Sequence, residues 1–136
     1  MIERVRVSSN SPYEPLIGFS RAVRAGDTAY VSGTVAWGPD GELVGRGDVY
    51  AQAKQAIANI EAALRQAGAS LRDVVRTRIY LTDISRWEEA ARAHREAFAE
   101  VRPASSLLEV SGLASPDMLV EIEAIAVVEG PLPDAK

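Results

Sequence analysis

The fold is decided by two segments near the C-terminus, Arg102-Pro103-Ala104-Ser105-Ser106-Leu107-Leu108-Glu109-Val110 and Val120-Glu121-Ile122-Glu123-Ala124-Ile125-Ala126. Both are short and rich in aliphatic residues, which favours strands. In the second segment the even-numbered residues are all apolar, whereas glutamates stand at two of the odd positions. Because successive side chains of a strand point to opposite faces, this alternation predicts a strand with one buried face. The pattern therefore predicts two strands that close a small sheet.

Upstream of these strands the sequence predicts two helices, each placed between strands. From Asp48 to Gly68, apolar residues recur at spacings of three and four, which is typical of an amphipathic helix. Asp48 is suited to cap its start and Gly68 to end it. A second helix is predicted from Ser85 to a point before Pro103, with one face formed by Trp87, Ala91, His94 and Phe98.

The remaining segments predict four further strands. β-Branched and aromatic residues favour a strand between Asp73 and Asp83. Two apolar stretches flank the turn pair Gly26-Asp27 and predict a β-hairpin, and another strand is expected within residues 2–7. The predicted order is β-β-β-α-β-α-β-β. Right-handed crossovers then put both helices on one face of a single sheet and leave the other face uncovered.

The uncovered face is predicted to be half charged and half apolar. Arg76, Arg78 and Tyr80 share that side of one strand, and Glu121 and Glu123 share it on the last strand. One interpretation is an oligomer interface that contains polar pockets. The other is a solvated face on which Glu121 and Glu123 pair with the two arginines.

Length and composition restrict the class of protein. The 136 residues predict one domain over 1–128 followed by a C-terminal tail over 129–136. With no cysteine and one histidine, His94, no metal site is expected, and no cofactor motif is recognised. The net charge of −4 argues against nucleic-acid binding. Neither a membrane-spanning run nor a signal sequence is found, so a cytoplasmic location without membrane association is expected.

Six segments follow one another across residues 18–128: Ala29–Gly33, Gln52–Ile60, Ala67–Val75, Tyr80–Asp83, Pro103–Ala104 and Glu121–Ala126. In this order and spacing they resemble the RidA/YjgF family of imine deaminases. The resemblance implies an α+β, chorismate-mutase-like fold, in which one mixed sheet carries two helices on one face. It also implies a homotrimer whose sheets face inward and whose three clefts, between subunits, bind a small molecule.

The same resemblance suggests site residues. Ser32 and Glu121 match the serine and the water-activating glutamate of the deaminating relatives. Phe19 stands at the position of their tyrosine and Ala91 at that of their asparagine. Ser105 replaces the arginine that holds the substrate carboxylate in a bidentate pair.

Two arginines, Arg78 and Arg102, are candidates to supply the missing guanidinium. His94 is interpreted as a core or interface residue. In the sequence-based hypothesis Glu121 is the catalytic acid or base, and substrate contacts come from Ser32, Ser105, Phe19 and Arg78.

Two functions of different classes remain open. The first is hydrolysis or hydration of an imine-like or enamine-like metabolite of non-standard type, without a cofactor. The second is non-catalytic binding of a metabolite, or a regulatory role. Standard 2-iminobutanoate/2-iminopropanoate deamination is disfavoured because Ser105 carries no charge. Ribonuclease action is disfavoured by the acidic charge and the single histidine.

Overall fold

A computed structural model describes residues 2–133 of the chain. The elements are β1 (Arg4–Val7), α1 (Tyr13–Ile17), β2 (Ala22–Ala25), β3 (Thr28–Thr34), α2 (Val49–Gln66), β4 (Val74–Leu81), α3 (Trp87–Phe98), β5 (Ala104–Glu109) and β6 (Val120–Val127), with 3₁₀ turns at Leu71–Asp73 and Ile84–Arg86. The six strands form one sheet in the order β1-β2-β3-β6-β4-β5. The β4–β5 pair is parallel and the other neighbours are antiparallel, which confirms the predicted mixed sheet.

The predicted hairpin is present between β2 and β3. Ala25 is paired with Thr28, so Gly26 and Asp27 form a two-residue connection. Gly26 has a φ of 60°, in the left-handed region that glycine adopts at little cost. The short helix α1, by contrast, was not predicted, because one and a half turns are too few for a helical period to show.

The ends of α2 follow the prediction. The carboxylate of Asp48 accepts a hydrogen bond from the Ala51 N–H at 3.0 Å, which satisfies one free donor of the first turn. Two residues beyond the last helical residue, Gly68 has a φ of 79° and turns the chain away.

The prediction for α3 is partly wrong. The helix begins at Trp87, and Ser85 instead lies in the preceding 3₁₀ turn, where its N–H and hydroxyl both bond to Asp83. Trp87 is 49% exposed, and the buried residues of α3 are Ala90, Ala93 and Phe98. Alanine suits either face of a helix, so contact with α2 rather than the sequence decides which alanines are buried.

The core lies between the sheet and the two long helices. Helix α2 packs on β3 and β6, and α3 packs on α2. The even-numbered residues of β6 are buried, from Val120 to Ala126, as the alternation predicted. On the opposite face, Tyr30 and Val127 are 50% and 45% exposed. One face of the sheet is therefore open in the single chain. Among residues 2–133, every helix is too short or too polar to cross a bilayer.

Arg24 joins three parts of the chain from a buried position. It is 1% exposed, and each of its three guanidinium nitrogens donates to a backbone carbonyl. Nε donates to Gly26 at 3.0 Å, Nη1 to Ala67 at 3.1 Å and Nη2 to Gly130 at 2.9 Å. The hairpin turn, the end of α2 and the segment that follows β6 are thereby held together. Part of the predicted tail, 134–136, lies outside the described residues.

Candidate functional site

Glu121 lies on the open face of the sheet, directly over Gly33 of the neighbouring strand β3. A β-carbon built on Gly33 would lie 2.5 Å from the Glu121 Oε2 atom, a distance that real side chains do not tolerate. The ladder between β3 and β6 shifts here, since Val31 pairs with Ala124 and Thr34 with Ile122. One extra residue of β3 therefore forms a β-bulge. The bulge and the missing side chain of Gly33 together make room for the carboxylate.

The surroundings of Glu121 favour its protonated form. Burial raises the pKa of this carboxyl most, the nearby charge of Glu123 raises it further, and Arg21 acts in the opposite direction. A carboxyl with a raised pKa exchanges protons closer to neutral pH than an ordinary one does. Glu121 is therefore suited to take up and release a proton.

The neighbouring Glu123 is held by two partners instead. Tyr80 donates to its Oε1 atom at 2.9 Å, and the Arg78 Nη1 atom lies 3.8 Å from the same oxygen. Arg76 donates to Ser106 at 2.8 Å. Among the described residues, Glu123 therefore forms the predicted ion pair with an arginine, Arg78, whereas Glu121 forms no ion pair.

Phe19 and Ser32 line one depression on the open side of the sheet, which also contains Glu14 and Ser20. The Ser32 hydroxyl donates to the Ser20 carbonyl at 2.7 Å, so its oxygen remains available as an acceptor. The Phe19 ring lies 5.3 Å from the guanidinium carbon of Arg21. The structure thus brings Phe19 and Ser32 together in one depression, and their role in substrate binding stays a prediction.

Ser105 lies on the other face of the sheet. Its Oγ atom is 2.8 Å from the Thr77 hydroxyl, which in turn lies 2.9 Å from the Nε2 atom of His94 on α3. The parallel register sets Arg78 opposite Ser106, so the Arg78 side chain points away from Ser105. Within one chain, therefore, Ser105 and Glu121 do not come together. The guanidinium of Arg78 lies on the opposite face from Ser105 and does not replace an arginine side chain at that position.

The other two candidate positions lie away from Glu121. Ala91 is on α3 beside Trp87, next to a shallow surface depression. Arg102 follows α3 with an exposed side chain and a φ of 51°, and its N–H donates to the Phe98 carbonyl at 2.8 Å.

The position of His94 beside Thr77 can be tested through the pH dependence of stability. Burial lowers its pKa below the ordinary value of 6.5. Below pH 6.5 the unfolded chain therefore binds a proton at His94 more tightly than the folded chain does. The contribution of neutral His94 to the free energy of unfolding is complete above pH 6.5, and it is lost as the pH falls through the lower pKa of the folded state. We expect the stability advantage of the wild type over His94→Gln to shrink between neutral pH and about pH 5, as measured by urea unfolding.

An NMR titration of the only histidine provides the check on that result. A measured pKa at or above 6.5, or a stability difference that does not change with pH, would contradict the buried, neutral assignment.

Two buried charged residues beside the site were missed by sequence reasoning. Arg21 is 5% exposed and Glu14 is 6% exposed. The only sequence signal for Arg21 was a pair of arginines, with Arg24, in an otherwise apolar strand. Among residues 2–133, no group of three His, Cys, Asp or Glu side chains is arranged to hold a metal ion.

Comparison with known proteins gives consistent results. Residues 9–128 match the family described as Endoribonuclease L-PSP. The chain is 38% identical over 130 residues to a RutC family protein of Pyrococcus abyssi, covering 95% of this chain and 100% of that one. It is 35% identical over 114 residues to the 3-aminoacrylate deaminase RutC of Acinetobacter baylyi, covering 84% and 90%.

Among solved structures, the chain is similar to Rv2704 of Mycobacterium tuberculosis, described as a member of the YjgF/YER057c/UK114 family. The TM-score is 0.84 at 50% identity, with 93% of this chain and 100% of that one covered. The match over 9–128 and these relatives confirm the resemblance found in the sequence, and the chain belongs to the Endoribonuclease L-PSP family, which includes the YjgF/RidA proteins.

Proposed function

We propose that this protein hydrolyses an imine or enamine of small size, with Glu121 as the acid and base. The observation that carries the proposal is the half-buried Glu121 carboxyl, whose pKa is raised and which lies over Gly33 without an ion-pair partner among the described residues. The similarity of the chain to a 3-aminoacrylate deaminase supports the same class of reaction.

The chemistry requires one proton acceptor that later becomes a donor. The imine enters in its protonated form. Ionised Glu121 takes a proton from water as the water oxygen bonds to the imine carbon and the C=N π electrons move to nitrogen, which gives a neutral carbinolamine. Protonated Glu121 then returns its proton to the nitrogen. The C–N bond breaks, ammonia leaves, and the carbinolamine hydroxyl releases its proton to solvent as it becomes the carbonyl, which balances the proton that the imine brought; Glu121 is ionised again.

We further propose that the site is completed in a homotrimer. Ser105 and Glu121 lie on opposite faces of one sheet, so a single chain does not bring them to the same substrate. The open face, with its exposed Tyr30 and Val127, supplies an unpaired surface of the kind that subunits cover. Light scattering measures the number of subunits, and a monomer in dilute solution would contradict this part of the proposal.

The direct test is ammonia release from enamines generated in the assay. 3-Aminoacrylate and 2-aminoacrylate carry a carboxylate, and their amide or ester analogues do not. Because uncharged Ser105 stands at the position of the carboxylate-binding arginine of the relatives it resembles, we expect the uncharged analogues to be preferred. Lack of ammonia release above the uncatalysed rate with either class would contradict the proposal.

Gly33→Ala tests the placement of the carboxylate. The new β-carbon would occupy the position of the Glu121 side chain and displace it. We expect turnover to fall by about 100-fold, because small misplacements of a catalytic group have effects of this size. Gly112→Ala is the matched control, since a β-carbon there meets no atom within 4 Å. Equal turnover in the two variants would show that Glu121 is not positioned by Gly33.

The second candidate function is non-catalytic binding of a metabolite. Ser105 favours this function. In the segment that resembles a carboxylate-binding strand, it offers a neutral hydroxyl that already accepts a hydrogen bond from Thr77. A metabolite that raises the melting temperature and is recovered unchanged would support this function. Release of ammonia from the same compound would exclude it.

A further inference from the structure

A cavity separate from the Glu121 site lies between α2 and the two loops that flank it. Its volume is about 270 Å³, and it is bordered by the segment before α1 and the loop after β3. Glu121, Phe19, Ser32 and Ser105 take no part in its lining. Most of its walls are apolar, formed by Val7, Val35, Trp37, Pro39, Ala62 and Ala63.

Within the described part of the chain, Arg21 is the one charged side chain that lines this cavity. Arg21 is 5% exposed as a residue, and its guanidinium bears a positive charge at all physiological pH values. Its Nη1 atom donates to the Gly33 carbonyl at 3.0 Å and to the Thr34 hydroxyl at 3.4 Å. Among residues 2–133, its buried Nε atom has no hydrogen-bond partner, and no carboxylate lies within 4.0 Å of the guanidinium.

Arg24 shows what this fold does with a buried arginine that is purely structural. Each of its three nitrogens donates to a carbonyl, as described above. Arg21 lacks such an arrangement. The charges of Glu14 and Glu121 act on its guanidinium from a distance, but the Glu14 carboxylate accepts its hydrogen bonds from Ser9. Buried donors in proteins are hydrogen-bonded, so a buried guanidinium with an unused donor beside a cavity points to an absent acceptor.

The rest of the lining indicates what kind of anion fits. Its other polar groups are neutral, and two of them hold the wall in place. The Asn59 side chain donates to the carbonyls of Val35 and Trp37 at 3.0 and 2.9 Å, and Gln55 donates to Asn59 at 2.9 Å. One guanidinium in a mainly apolar cavity matches a single carboxylate on a compact apolar body, whereas a phosphate dianion would require more positive charge.

We propose that this cavity binds a small monocarboxylate, with its carboxylate on Arg21 and its apolar part against Trp37 and Ala62. The cavity is separate from the depression at Phe19 and Ser32, although the charge of Arg21 also acts on Glu121. The test therefore measures binding without turnover. The probe is benzoate, with the uncharged benzamide as the matched ligand. Calorimetry on the full chain is expected to show saturable benzoate binding at one site per chain, and benzamide is expected to bind at least about tenfold more weakly.

Two variants locate the binding. Arg21→Gln removes the charge, and Arg6→Gln removes an exposed arginine that lines the depression on the other side of the sheet. We expect Arg21→Gln to weaken benzoate binding by about tenfold or more and Arg6→Gln to leave it unchanged. Ala62→Leu places a larger side chain on the exposed surface of α2, where the fold tolerates it, and should also abolish binding.

Each possible result bears on the proposal. No binding of benzoate to the wild type, equal affinity for benzamide, or wild-type affinity in Ala62→Leu would overturn it. If Arg21→Gln does not fold, Ala62→Leu and the comparison of the two ligands still decide the question. A loss of affinity in Arg6→Gln as large as in Arg21→Gln would assign the effect to net charge and overturn the site.

Discussion

Glu121→Gln is expected to reduce ammonia release from the preferred enamine by about 100-fold to 10,000-fold, while the fold stays intact. The amide keeps the size of the side chain and its place over Gly33, but it does not accept and return a proton. The measurement is kcat at several pH values, together with circular dichroism and the melting temperature of the variant.

The matched control is Glu123→Gln, two residues along the same face of β6. The Glu123 carboxylate is already bonded to Tyr80, so it is not free to act on a water molecule. We expect most of the turnover to remain. Because the Glu123 charge raises the pKa of Glu121, its removal should shift the acid limb of the pH–rate profile to lower pH. Unchanged turnover in Glu121→Gln, or equal losses in both variants, would exclude Glu121 as the acid and base.

Arg24→Met is expected to lower the free energy of unfolding by about 3 kcal/mol or more. The methionine fills part of the space but leaves the carbonyls of Gly26, Ala67 and Gly130 without their donor. An unsatisfied buried carbonyl costs about 1–3 kcal/mol, and this cost applies to Ala67. The half-buried Gly26 and the exposed Gly130 each lose one charge-assisted hydrogen bond in addition. Urea unfolding of wild type and variant under the same conditions gives the difference.

Arg46→Met is the control for that experiment. Arg46 also forms a charged contact, with Asp117 at 3.1 Å, but its side chain is 68% exposed. Exposed ion pairs contribute little, so we expect a change within about 1 kcal/mol. A loss in Arg24→Met no larger than in Arg46→Met would show that the three carbonyls find other partners, and that Arg24 is not what joins these segments.

The arrangement of the sheet was predictable from sequence because strand alternation is a local property. The alternation in β6 correctly predicted that Glu121 and Glu123 share the face away from the helices. The turn pair Gly26-Asp27 likewise predicted the hairpin, because it lies between two apolar stretches. In both cases the signal is contained within about ten neighbouring residues.

Contacts that depend on the register between distant segments were not predictable. The sequence gives no measure of how β4 aligns with β5, and this register decides that Arg78 lies opposite Ser106 rather than beside the Ser105 side chain. The burial of Arg21 likewise comes from loops and strands that meet only in the folded chain. Glu121 was found by resemblance to a family, whereas the Arg21 cavity became visible only in three dimensions.

The bulge in β3 has a consequence for insertions and deletions. Val31 and Thr34 both point toward the helices although they lie three positions apart, a spacing that would place them on opposite faces of a regular strand. Removing one residue between them would leave them two positions apart, so both would still face the helices in a regular strand. The bulge that makes room for the Glu121 carboxylate would be lost, however. A one-residue deletion at this point is therefore expected to spare the core and damage the site.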